Sequence, residues 1–222
     1  AMIIESIIDS PFGARVTHYN CAVLDSAAAD QLRLALHHHQ LLIFPGQQQL
    51  TPQQEVAFYR SIDLQGESVW RDQTNNPWEV FKVAQGNKAG TYQIPKEPGV
   101  LVLGKGDIDH CGLKVTLGGE RGAYGKDQGS QVLGGGALQW HIDGTFYAQA
   151  PCQYTQMRCI EAPVGSGHWL AYEDHSEDRL WCAAGSTAFA SGRLAFDRLP
   201  AADQQLSLKM QVHYASHPFE AS

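Results

Sequence analysis

Gln139-Trp140-His141-Ile142-Asp143-Gly144-Thr145-Phe146 is the stretch on which the reading of this chain turns. Side chains two apart on a strand project from the same face. A strand here would therefore aim His141 and Asp143 at one point, where an imidazole nitrogen and a carboxylate oxygen can share an ion. Taken alone, a His-x-Asp pair equally describes a surface strand with two polar residues. The surroundings narrow the choice: an aromatic residue precedes the pair, Gly-Thr-Phe follows it, and Pro151 comes eight residues after Asp143.

Working outward, the 222 residues are 43% hydrophobic and 18% charged, the composition of a globular protein. A single domain spanning 1–222 is expected. A chain with net charge -7 and neutral histidines is a poor candidate for nonspecific nucleic-acid binding, which needs a clustered basic surface, so a nucleic-acid partner is not expected. No window approaches 18 apolar residues, so no membrane-spanning helix is expected. AMIIESIIDS lacks the basic segment and cleavage site of a signal peptide, and Ala1 before Met2 reads as a cloning remnant. The 5 cysteines are odd in number and contain no C-x-x-C pair. That pattern suits free thiols in a reducing compartment, the cytoplasm.

Residues 3–23 read as short strands broken at Pro11 and Gly13. Ser26 is placed to cap a helix to about His39, with Leu32, Ala35, Leu36 and His39 on one face. The run Leu41-Leu42-Ile43-Phe44 before Pro45-Gly46 predicts a buried strand ending in a turn. Thr51-Pro52-Gln53-Gln54 predicts a capping box opening a helix to about Ile62. Further on, β-rich runs (80–84, 100–103, 154–160) alternate with turn residues. Between Gly104 and Gly136 lie 11 of the 22 glycines, which reads as a long functional or mobile loop. Residues 163–184 read as a polar insertion, and 193–209 as a helical region broken at Pro200. Helices in front and β-rich sequence behind predict an α+β, mostly β fold: a jelly-roll core with N-terminal and flanking helices.

His and Asp at this spacing, joined by a second histidine, make the facial triad of non-haem Fe(II) oxygenases, which keeps positions open for a co-substrate and O2. At this point WHIDGTF resembles the proximal metal motif of the taurine dioxygenase-like (TauD/TfdA) Fe(II)/2-oxoglutarate-dependent enzymes. Two further segments match in order across roughly 41–214. Leu41 to Gln47, with the capped helix after Thr51, resembles the family's N-terminal strand, turn and helix. Gly185 to Gly192 resembles the segment whose threonine contacts the 2-oxoglutarate carboxylate. The resemblance thus implies Fe(II) on His141 and Asp143, 2-oxoglutarate as co-substrate, Thr187 as its contact, and a double-stranded β-helix. An ordinary strand threonine is the alternative reading of Thr187.

Within the family, LGKGDIDHCGLKVTLGG and YGKDQGSQVLGGGALQWHIDG look closest to the fungal xanthine dioxygenases. That similarity implies a small-molecule substrate, xanthine oxidised to uric acid while 2-oxoglutarate is decarboxylated to succinate. It also implies Lys114 as a substrate contact, an ammonium able to stabilise charge on a purine. Gln93 and Gln131 are candidates for the purine edge. Lys114 as a solvated loop lysine stays open, as do sulfonate or aryloxy-acid substrates.

The chain departs from the pattern in one respect. The family's distal histidine and the arginine ten to fifteen residues after it have no counterpart, since Arg198 is the last arginine. His168 and Arg179, eleven apart, imitate that pair but precede Thr187. The expectation is a chain truncated at its C-terminus, holding the N-terminal portion of the domain; a non-catalytic remnant is the competing reading. No G-x-S-x-G elbow, Walker A motif or G-x-G-x-x-G turn is present. His37-His38-His39 on a helix diverge by about 100° each and favour the helix C-terminus over a shared metal.

Overall fold

A computed structural model describes residues 1–63, 91–104, 106–117, 132–133, 140, 142, 153–172 and 177–211. The chain divides into two compact units, Ala1–Ser186 and Thr187–Ser222.

The first unit opens on a three-stranded sheet. β1 (Ile3–Ser6) pairs antiparallel with β2 (Ala14–Thr17), and β2 pairs parallel with β3 (Leu42–Ile43). Parallel neighbours need a crossover, and α1 (Ser26–His39) supplies it. Asp25, not Ser26, is the cap: Asp25 is extended and its carboxylate accepts from the Ala27 N–H at 3.0 Å, while Ser26 is already the first helical residue. α1 ends where Gln40 turns left-handed and donates its N–H to the Leu36 carbonyl. Its predicted face is the buried one at Leu32 and Ala35, whereas His39 is only half-buried.

α2 (Pro52–Ile62) begins as its sequence predicts. The Thr51 hydroxyl accepts from the Gln54 N–H at 3.2 Å, and the Thr51 N–H donates to Gln54 Oε1 at 2.9 Å, with Pro52 at the first turn. Val16, Cys21, Leu32, Phe58 and Ile62 form the core between sheet and helices. Phe44 meets Phe58 edge-on at 5.4 Å between centroids. Gly46 holds φ +76°, a conformation that favours glycine. The turn it makes lets the Gln47 amide donate to the Tyr19 carbonyl and accept from the Cys21 N–H. The strand before it is shorter and more exposed than its apolar run implies, two residues long with Ile43 41% exposed.

Two hairpins follow. β4 (Thr91–Ile94) pairs with β5 (Glu97–Leu103), and β6 (Gly106–His110) pairs with β7 (Leu113–Leu117). α2 packs beside β5 and β4 beside β7. The second hairpin corrects the reading of 104–136 as one long loop. Cys111 and Gly112 both take positive φ (49° and 85°), the two-residue turn whose twist matches antiparallel strands. Leu113 and Leu117 then face inward while Lys114 and Thr116 face water.

β8 (Val132–Leu133) runs parallel to β9 (His168–Tyr172), and β9 pairs antiparallel with β10 (Arg179–Cys182). The supposed polar insertion 163–184 therefore contains a pair of antiparallel strands, with Leu170 and Cys182 buried. The run 154–160 is not a strand; its backbone joins no ladder among the described residues. It is tied to α2 instead, by the Arg158–Glu55 ion pair at 2.9 Å and the Tyr59 hydroxyl, which donates to the Tyr154 carbonyl at 3.0 Å.

In the second unit, Ser191 caps α3 (Gly192–Asp197), and Pro200 precedes α4 (Ala201–Ser207). The break expected at Pro200 is present, because proline cannot donate into a continuing helix. The described residues thus form helices and small sheets, with no closed barrel among them.

Candidate functional site

His141, Asp143 and Gln131 lie outside the described residues. Their neighbours Trp140 and Ile142 are 47% and 72% exposed and belong to no strand. Among the described residues, no group of three or more His, Cys, Asp or Glu is placed to hold a metal ion.

Lys114 is on a strand rather than in a loop. It stands opposite Asp109 on the β6–β7 ladder, with its Nζ 2.7 Å from Asp109 Oδ2. One step along, Asp107 stands opposite Thr116 and accepts from its hydroxyl at 2.6 Å. Strand alternation puts all four side chains on one face, with Ile108 and Val115 between them turned to the other; the six residues line a shallow groove. Lys114 and Asp109 are 77% and 66% exposed, so their ion pair contributes at most about 1 kcal/mol to stability. Asp107, Asp109 and Thr116 were not singled out from sequence. Asp-x-Asp followed by Lys-x-Thr across Cys-Gly is the period-two signal that marks them.

Gln93 sits half-buried on β4 opposite Leu101, just before the register shifts at Ile94. Its strand touches β7, yet Gln93 is not among the residues of the Lys114 groove. The structure therefore brings their strands together without placing both side chains in one cavity.

Thr187 is exposed, in irregular backbone, at the start of the second unit. It follows a turn closed by the Ser186 N–H on the Ala183 carbonyl at 3.1 Å. Gly185 occupies that turn at φ +72°, and a Cβ there would lie 2.5 Å from Pro163. His168 and Arg179, the imitation of a distal pair, stand at opposite ends of the β9–β10 ladder, opposite Cys182 and Ala171. Three rungs separate them, roughly 10 Å along the strands. That separation does not bring them together at one ligand.

The four described cysteines are free thiols, with Cys21 and Cys182 buried and Cys111 and Cys159 exposed. Burial pushes the Cys21 thiol up to about 12. Burial likewise raises the Tyr19 phenol and lowers the His39 imidazole, helped in the latter by neighbouring His38. None of these groups lines the Lys114 groove. Among the described residues no helix is long and apolar enough to cross a membrane.

Comparison with known proteins agrees with the resemblance seen at residues 139–146. The chain is 28% identical over 214 residues to "Alpha-ketoglutarate-dependent xanthine dioxygenase xanA" of Emericella nidulans, covering 94% of this chain and 56% of that protein. It is 26% identical over 226 residues to "Alpha-ketoglutarate-dependent xanthine dioxygenase xan1" of Schizosaccharomyces pombe, covering 97% and 53%. It is 27% identical over 220 residues to "Alpha-ketoglutarate-dependent dioxygenase bsc9" of Alternaria brassicicola, covering 94% and 55%. The chain spans about half the length of the curated relatives it matches. The family implies a jelly-roll dioxygenase fold, Fe(II) and 2-oxoglutarate. The model of one dioxygenase family matches residues 8–221, nearly the whole sequence, and the chain belongs to that family: taurine catabolism dioxygenase TauD, TfdA.

Proposed function

We propose that this protein is an Fe(II)- and 2-oxoglutarate-dependent hydroxylase of a small molecule, with xanthine as substrate and uric acid as product. The observation that carries the reading is Trp140-His141-Ile142-Asp143-Gly144-Thr145-Phe146 inside a family match covering nearly the whole chain. An imidazole nitrogen and a carboxylate oxygen are a donor set suited to Fe(II) with open positions. His141 and Asp143 would hold the metal, and a further histidine would complete the triad. Bound there with 2-oxoglutarate and O2, the iron supplies the oxidising chemistry, and the protein supplies position and exclusion of water. The Thr187 hydroxyl would donate to a 2-oxoglutarate carboxylate. The Lys114 ammonium would stabilise the negative charge that develops on a bound purine, and the Gln93 and Gln131 amides would bond its edge. Free thiols on all four described cysteines support the cytoplasm as the compartment.

A second reading keeps the iron site and changes the substrate to a sulfonate or aryloxy acid. Its basis is that the Alternaria relative, whose name carries no xanthine, is as similar as those whose names do. Succinate release by the protein expressed from its complete reading frame separates the two, against xanthine, taurine, sulfate esters and aryloxyacetates. Turnover of xanthine supports the first reading. Turnover of taurine or an aryloxyacetate with none of xanthine rejects the purine and leaves the iron site standing.

A further inference from the structure

We propose that Asp107 and Asp109 set the substrate class at Lys114, admitting a neutral heterocycle with both N–H and carbonyl groups and turning away sulfonates and carboxylates. The inference rests on the reading of Lys114 as a substrate contact. The β6–β7 ladder fixes four functional groups on one face: Asp107 opposite Thr116, and Asp109 opposite Lys114. The Thr116 hydroxyl donates a hydrogen bond to Asp107 Oδ1 at 2.6 Å, and the Lys114 ammonium lies 2.7 Å from Asp109. The face therefore carries one cation and two anions, a net charge of one negative. Side chains two apart on a strand or opposite each other on a ladder stand within about 5–7 Å.

An anionic head group reaching the Lys114 ammonium has to sit beside the Asp109 and Asp107 carboxylates, two like charges. Like charges at that spacing repel even through water. A lactam edge meets no such obstacle. Its carbonyl accepts from the ammonium, and its adjacent N–H donates to a carboxylate, which can only accept. Xanthine presents such edges; taurine and an aryloxyacetate do not. Asp109 also holds the flexible lysine stem beside its partner strand, so it positions the ammonium before substrate arrives.

The test uses the protein from its complete reading frame, with equilibrium dialysis of xanthine and of phenoxyacetate and with steady-state succinate release. Asp109→Asn should weaken xanthine binding about tenfold, the loss of one charge-assisted hydrogen bond, with kcat nearly unchanged. Asp109→Glu should restore most of it. Asp107→Asn with Asp109→Asn should bring phenoxyacetate binding that the parent protein lacks. Exchanging the charges, Asp109→Lys with Lys114→Asp, rebuilds the cross-strand ion pair but moves the ammonium. Continued weak binding in that exchange supports the proposal; recovered binding overturns it, because the pair then only braces the hairpin. If Lys114→Ala weakens xanthine binding while both aspartate variants leave it unchanged, selection by the aspartates is refuted and the Lys114 contact survives. If Lys114→Ala has no effect, the reading beneath the proposal fails first.

Discussion

The Glu55–Arg158 pair offers a severe test of how the first unit is held together. Its side chains are only 12% and 11% exposed, and Arg158 Nε donates to Glu55 Oε2 at 2.9 Å. It joins α2 to a segment more than a hundred residues away in sequence, whose backbone makes no strand ladder among the described residues. Beside it, the Tyr59 hydroxyl reaches both Asp63 Oδ2 at 2.7 Å and the Tyr154 carbonyl at 3.0 Å. Both side chains are largely withdrawn from water, so removing one partner leaves the other mostly desolvated and alone; for a fully buried pair that costs about 3–5 kcal/mol. Arg158→Met should therefore lower the free energy of unfolding by about that amount. Replacing both, Glu55→Leu with Arg158→Met, should recover most of the loss, because the desolvated charge is gone. Urea denaturation followed by tryptophan fluorescence measures both, provided the slope of the transition is the same in each protein. A loss under about 1 kcal/mol in the single variant would show the pair to be effectively solvated. A double variant as unstable as the single one would show that packing of the arginine stem, not charge, carries the contact.

Three other expectations follow from particular groups. Thr51→Ala removes the hydroxyl that accepts from Gln54 and should cost about 1 kcal/mol in the same denaturation assay, while Thr51→Ser should cost little. Iodoacetamide at neutral pH should modify exposed Cys111 and Cys159 quickly and buried Cys21 only on unfolding, read by peptide mass spectrometry. The folded protein keeps the Cys21 thiol protonated up to about 12 against 9 when unfolded, so its stabilising contribution is complete below pH 9 and is lost as pH rises toward 12; Cys21→Ala should flatten that alkaline loss. Thr187→Ala should raise the 2-oxoglutarate concentration needed for half-maximal succinate release several-fold, roughly one hydrogen bond's worth, with Fe(II) affinity unchanged.

How far the sequence carried the fold depended on where its signals were local. The capping box at Thr51 and the Pro200 break are decided by a few adjacent residues, and both stand where expected. The α1 cap slipped by one because Asp25 and Ser26 are both competent oxygens, and only backbone φ decides between them. The β6–β7 hairpin was hidden by glycine density around it. Cys-Gly is a weak turn signature, although the alternation of Leu113, Val115 and Leu117 with Lys114 and Thr116 was there to be seen. At 154–160 the composition suggested a strand, but tertiary anchoring to α2 overrides a propensity that is mostly context. For the candidate site, His141 and Asp143 lie outside the described residues, and only the family was legible at residues 139–146. The cross-strand partner of Lys114 was not, since Asp109 becomes its neighbour only once the register of two strands is fixed.

The central claim is that His141 and Asp143 bind Fe(II) in the presence of 2-oxoglutarate. Anaerobic titration of the protein from its complete reading frame with Fe(II) and 2-oxoglutarate, followed by visible absorption, tests it directly. The account predicts a metal-to-ligand charge-transfer band that saturates at one Fe(II) per chain and disappears in His141→Ala and in Asp143→Ala, with both variants still folded by circular dichroism. No band in the parent protein, or an undiminished band in both variants, would contradict it.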